Sequence, residues 1–223
     1  MHLRINKKII IYFFLFIFFG TLNNKNLTRI EYLKVEKINI SGLDIDKKSD
    51  LIKDLNPFKF QNIFFLNETK IKKIIDSNPY VEKFSIFKKY PSEININIYT
   101  TEFVAYIKKN DGLFFLGSNR KLIKSDGRIE DIPYIFGNFD DKEFFILKDI
   151  IENSNFNYSE IKNLYFFPSK RWDIETHSGI LIKLPNKKLK ESLELSLKIL
   201  SDIDFKNIKT IDLRQSKQII INE

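Results

Sequence analysis

The chain of 223 residues has no cysteine, two histidines, one tryptophan and one methionine. Without cysteine, disulfide frameworks, thiol catalysis, zinc ribbons and iron–sulfur clusters are all excluded. His2 lies in the N-terminal tail, which leaves His177, flanked by Thr176 and Ser178 in a turn-like stretch, as a surface imidazole. That is too little for a histidine-rich metal centre or for most histidine-based acid–base schemes. The seven glycines are scattered and form no phosphate-cradling loop. Arginine is scarce: Arg4, Arg29, Arg120, Arg128, Arg171 and Arg214 are the only six among 37 basic residues. Phosphate and base-edge readout favours the planar guanidinium fork. The formal net charge of +8 includes Arg4, Lys7 and Lys8, so residues 25–223 carry only the remaining +5. A nucleic-acid partner is therefore not expected, nor is a small-molecule substrate. Asp140, Asp141 and Glu175 read as solvated carboxylates with no shared site. No catalytic, cofactor-binding or metal-binding residues are expected.

Apolar surface is plentiful. Hydrophobic residues make up 43% of the chain, with 22 Phe and 9 Tyr, which excludes a solvated coil. No charge falls between Lys8 and Lys25, and Ile9 to Phe19 is an unbroken apolar run ending at Gly20. A cleaved secretory signal also has a basic start and a short apolar stretch, but no small-x-small pair follows Gly20. Residues 9–24 are expected to form a retained transmembrane helix, slightly short of the usual ~20 residues, with Lys7, Lys8 and Lys25 snorkelling. Basic residues concentrated before it hold residues 1–8 in the cytoplasm and export the rest.

The exported part divides into two modules. Ile38 and Ile40 alternate with polar residues up to Ser41-Gly42, a short strand closed by a turn. Asp46 can cap a helix bearing Leu51, Ile52 and Leu55, which Pro57 ends. Asn67 can cap a second, with Ile71, Ile74 and Ile75 on one face and Asn78-Pro79 as its stop. Phe84 and Ile86, a Tyr90-Pro91 turn and the alternating Ile94, Ile96 and Ile98 complete a β-α-α-β-β order over residues 33–102. Residues 103–223 are richer in strands. A meander is expected around Phe114 to Ile123, a helix from Asp141 with Phe144, Phe145, Leu147, Ile150 and Ile151 inward, and paired strands on either side of His177. A second helix carries Leu189, Leu193, Leu197 and Leu200, before a C-terminal strand left at the sheet edge. The fold class is α+β: a single transmembrane helix, a small β-α-α-β-β domain, then a larger, mostly antiparallel β domain with flanking helices.

Particular strings sharpen this. Val35 to Gly42, Asn62-Ile63-Phe64-Phe65-Leu66, Asn78-Pro79-Tyr80-Val81 and Tyr90-Pro91 resemble a POTRA (polypeptide-transport-associated) domain. Thr101 to Ala105 resembles a Glu-Arg-x-Pro-x-Ala junction with Arg and Pro lost. Arg171-Trp172-Asp173 with Gly179 and Leu184-Pro185, then Ile211-Asp212-Leu213-Arg214, complete the order. Together they resemble the bacterial cell-division family FtsQ/DivIB over almost the whole chain. The resemblance implies a non-enzymatic scaffold in the cell inner membrane at the division septum. It would join the bitopic partners FtsB and FtsL and, further, the septal peptidoglycan synthase complex. A POTRA-type docking module for export or outer-membrane assembly, and a membrane-anchored cell-wall hydrolase, are the rival readings; the first accounts only for the N-terminal half, and the second lacks an acid–base constellation.

The family's partner contact maps onto the strand after Asp-x-Arg: Arg214, Gln215, Ser216, Lys217, Gln218, Ile219, Ile220 and Ile221. A partner would add a strand there by β-augmentation, with Arg214 holding a partner carboxylate in a bidentate pair. The dull alternative for Arg214 is a surface ion pair with Asp212. Gln215 stands where the family often has an aromatic residue. Three consecutive isoleucines cannot all be hidden by period-two burial. Lys170 and Arg171 form a second basic contact, whereas Trp172 reads as a core anchor.

Overall fold

The computed structural model describes residues 7–22, 33–109, 112–125, 127, 131–201, 208–215 and 218–222. The chain divides into two compact units, Met1–Thr100 and Thr101–Glu223.

The first unit begins with helix α1 (Lys7–Leu22). Its 16 residues span about 24 Å at ~1.5 Å per residue, against a hydrocarbon layer of about 30 Å. Residues 9–22 of the expected span lie in this helix, and residues 23 and 24 lie outside the described residues. Among the described residues, no helix is long and apolar enough to cross a membrane.

Beyond α1, strand β1 (Lys37–Ser41), helices α2 (Ile45–Leu55) and α3 (Glu68–Ser77), and strands β2 (Val81–Lys89) and β3 (Glu93–Thr100) follow in β-α-α-β-β order. The sheet runs β1-β3-β2, with β1 parallel and β2 antiparallel to β3. Alternation along β3 divides its faces. Ile94, Ile96 and Ile98 are buried against Leu51, Leu55, Ile71 and Ile75 of the helices, while Asn39 donates to Asn95 and Ser41 to Asn97 across the other face. Asn67 caps α3 by accepting from the Lys70 amide. Asp46 does not cap α2: the helix starts two residues earlier than such a cap implies, so Asp46 lies in its first turn and Asp44 takes the cap position. Gly42 turns the chain out of β1 at φ +90°, where an added Cβ would stand 1.9 Å from the Ile98 carbonyl oxygen.

The second unit is one nine-stranded sheet. In chain order its strands are β4 (Phe103–Lys109), β5 (Gly112–Gly117), β6 (Leu122–Lys124), β7 (Tyr134–Phe136), β8 (Ile161–Phe166), β9 (Trp172–Thr176), β10 (Leu181–Lys183), β11 (Thr210–Asp212) and β12 (Ile220–Asn222). Helix α4 (Asp141–Glu152) follows β7 and α5 (Leu189–Ser201) follows β10. The spatial order is β12-β11-β10-β9-β8-β7-β4-β5-β6. Three adjacent pairs, β4/β7, β7/β8 and β10/β11, are parallel and the other five antiparallel. A parallel neighbour cannot be reached by a tight hairpin, and α4 and α5 supply two of the crossovers.

Register aligns one apolar row across seven strands: Ile107, Ile135, Leu164, Ile174, Ile182, Ile211 and Ile221. This row and Phe144, Leu147, Ile151, Leu193 and Ile199 of the two helices form one core. Trp172 belongs to it, buried against Phe139 and Phe166. Period two turns the adjacent row, Phe136, Tyr165, Asp173, Lys183, Asp212 and Ile220, to the face away from the helices.

Candidate partner-binding site

Strand β12 ends the sheet and pairs with β11 on one side; among the described residues no strand lies on its other side. Ile221 sits opposite Ile211 and packs on the core, while Ile220, opposite Asp212, and Ile219 before it are 40% and 44% exposed. One of three consecutive isoleucines is thus turned inward and two meet solvent.

The expected contact segment is not one continuous strand. Arg214 and Gln215 lie in the β11–β12 turn, where the Gln218 amide donates to the Gln215 carbonyl, and pairing begins only at Ile220. Ser216 and Lys217 lie outside the described residues. The cause is the Asp212 carboxylate, which ties down the turn. It accepts the Arg214 backbone amide at 3.1 Å, Nε at 2.8 Å and Nη2 at 2.5 Å. The Arg214 side-chain bond is the main reason Asp212 is held below the usual carboxylate range, and the same bond raises Arg214. The bidentate pair expected with a partner carboxylate is therefore made within the chain, through an Nε–Nη2 edge, while the arginine side chain stays 43% exposed.

The second expected pair divides. Arg171 donates from Nε to Asp173 at 3.4 Å and stacks its guanidinium on Phe167. Lys170, in the β8–β9 turn at φ +58°, reaches Glu143 of α4 at 3.6 Å. Asp173 is buried, and desolvation raises it although Arg171, Lys183 and Arg214 all favour its charge. Arg171, Asp173, Lys183, Asp212 and Arg214 thus form a band of alternating charge ending at the β12 edge. The sequence reading found its two ends and missed Lys183, which only the register brings opposite both aspartates.

It also missed a cleft of about 700 Å³ beside the edge, lined by Lys187, Lys188 and Leu195 near α5 and by Leu213, Gln218 and Ile219 of the hairpin. The Lys187-Lys188 pair after Pro185 was the available signal. A larger cleft of about 1050 Å³ lies far from β12, over β4, β7 and β8, with Tyr106, Tyr134, Phe136 and exposed His177 in its lining. Nearby, Glu175 is not the solvated carboxylate expected. It accepts from Asn163 at 2.9 Å and from the Tyr165 hydroxyl at 2.5 Å, and these bonds lower it. Burial, then Glu175, pushes Tyr165 up to about 12.

Comparison with known proteins accounts for both units. The FtsQ-type POTRA domain model matches residues 33–99, and the C-terminal model of cell division protein FtsQ/DivIB matches residues 105–214. FtsQ of Rickettsia bellii is 26% identical over 85% of this chain and 72% of its own length. DivIB of Clostridium botulinum is 29% identical over 59% of this chain, which spans half of that relative. The extracytoplasmic domain of DivIB from Geobacillus stearothermophilus aligns at 14% identity over 48% of this chain and 97% of its own, with a TM-score of 0.35, too low to bear on the fold. With both units matched in the order the sequence strings suggested, the chain belongs to the FtsQ/DivIB family of cell-division proteins.

Proposed function

We propose that this protein is a non-enzymatic, membrane-anchored scaffold of the division machinery that binds FtsB, and through it FtsL, by β-augmentation on β12. The observation that carries the reading is the sheet edge itself: β12 has a strand on one side only among the described residues, and Ile219 and Ile220 are exposed along it. A partner strand pairs with its main chain, and the two isoleucines supply the apolar contact that Gln215, standing where the family often has an aromatic residue, does not. Lys187 and Lys188, with Glu191 the one acidic residue lining the same cleft, leave the side of the edge near α5 net positive, suited to an acidic partner segment. Helix α1 anchors the chain. It is short for the bilayer, a mismatch met by local thinning and by snorkelling of Lys7 and Lys8. The bulk of the chain then lies outside the cytoplasm, at the septum.

The test is capture of FtsB by the full chain in membranes. Ile220→Pro removes the amide that faces Asp212 of β11, releases the edge strand and abolishes capture, while the core around Leu164 keeps its thermal transition. Undiminished capture by a folded Ile220→Pro variant rejects the site.

A further inference from the structure

In the first unit, the loop from Asn56 to Asn67 pairs with the chain just before β1. The Val35 amide donates to the Gln61 carbonyl, the Phe60 amide to Val35 and the Ile63 amide to Leu33, at 2.8–2.9 Å. Asn62 shapes the turn beyond, its Oδ1 accepting the Phe64 amide at 3.0 Å. The result sorts the side chains: Ile63 is fully buried, while Phe64 and Phe65 are 55% and 67% exposed. Phe60 is held at φ +65°, a backbone region bulky residues avoid, and is 72% exposed. Tyr90, from the β2–β3 turn, stacks on Phe64 with ring centroids 4.9 Å apart. Four of the six exposed aromatics recorded for this domain therefore share one tip, Phe87 and Tyr99 being the others.

Three observations say what covers it. The tip is where the chain enters the domain, because Leu33 hydrogen-bonds directly to the loop. Only ten residues separate Leu33 from Leu22, the end of α1, a tether of at most about 40 Å fully extended. The residues around the tip (33–37, 56–68 and 88–93) carry five lysines and three glutamates, a net positive end.

We propose that this aromatic tip inserts into the headgroup region of the anionic membrane that holds α1. Phe60, Phe64, Phe65 and Tyr90 are seated at the acyl boundary, and Lys34 and Lys59 face lipid phosphates. Aromatic rings favour that depth, and basic residues add attraction to anionic lipid. The inference rests on the membrane anchorage proposed above, and it makes the domain a fixed-height pedestal instead of a freely swinging link.

The chain has no cysteine, so single-site labelling is clean. Full-length protein is reconstituted into phosphatidylethanolamine–phosphatidylglycerol vesicles with an environment-sensitive fluorophore at Phe65→Cys, at Ser77→Cys on the opposite end of the domain, or at Phe14→Cys in α1. Nitroxide lipids quench at headgroup or deep-acyl depth. The expected result is a blue shift and loss of emission at residue 65 with the headgroup quencher, no change at residue 77, and quenching at residue 14 by the deep one. A label at Lys59→Cys is quenched likewise and regains its emission in the Phe64→Ser, Phe65→Ser background, whose changes lie on exposed side chains. Quenching at residue 14 with residues 65 and 77 alike overturns the inference and leaves the anchor standing. No quenching at residue 14 removes the anchor, and this inference with it.

Discussion

Replacing Asp212 by Ala tests whether the charge pair at the β11–β12 turn sets the geometry of the exposed edge. The carboxylate accepts two side-chain donors and one amide of Arg214. Hydrogen bonds to charged groups contribute about 1.5–3 kcal/mol when buried, and exposed ion pairs about 0.2–1 kcal/mol. Asp212 is 11% and Arg214 43% exposed at the side chain, which puts the pair between these limits. Screening at the arginine brings the expected value to about 1–2 kcal/mol. A loss of that size multiplies local opening by about 5–30. Amide exchange of Ile220–Asn222 should accelerate by that factor in Asp212→Ala, while amides of Leu164 and Ile174 in the core row stay protected. Asp212→Asn keeps the turn acceptor and should fall between. The pH dependence has a definite sign. Asp212 is depressed in the folded protein, so its stabilisation is complete above the unfolded value of about 3.9 and is lost as pH falls through the lower folded value. A double-mutant cycle with Arg214→Ala completes the test. Unchanged exchange at β12, or a coupling below about 0.3 kcal/mol, refutes the account of the turn.

Three further outcomes follow from single sites. Gly42→Ala places a Cβ 1.9 Å from the Ile98 carbonyl, so it should destabilise the first unit by more than about 2 kcal/mol, visible as a lower calorimetric transition for that unit alone. Leu164→Ala empties the middle of the core row at a fully buried site; a loss of about 2–5 kcal/mol in chemical denaturation is expected, confined to the second unit. Tyr165→Phe should remove a phenolate absorbance step near pH 12 and return Glu175 toward its ordinary range; a titration in which no tyrosine is missing near that pH rejects the Tyr165–Glu175 bond.

Much of the fold was legible because it is local and periodic. The alternation of Ile94, Ile96 and Ile98 gave the half-wet strand, and the three-and-four spacing of Ile71, Ile74 and Ile75 gave α3. The leucines from 189 to 200 marked a helix facing a core, as found for α5. Trp172 was readable as a core anchor because a lone indole at a strand start is usually packed. The candidate site was only half legible. Ile219, Ile220 and Ile221 pointed to an edge that burial alone could not explain, but the turn that takes Arg214 and Gln215 off that edge depends on a carboxylate two residues back choosing the arginine over solvent.

By itself, the sequence determined the helices and most of the strands, though not β4, β7 or β8, the division into two modules, the apolar N-terminal helix, and the family through short strings in fixed order. Tertiary structure alone decided the three parallel joins, the seven-strand apolar row, the charge band through Lys183 and the aromatic tip. Local propensity acts through neighbours a few residues apart. Register and edges depend on which distant strands pair, and that is settled only when one buried face must be closed by all of them at once.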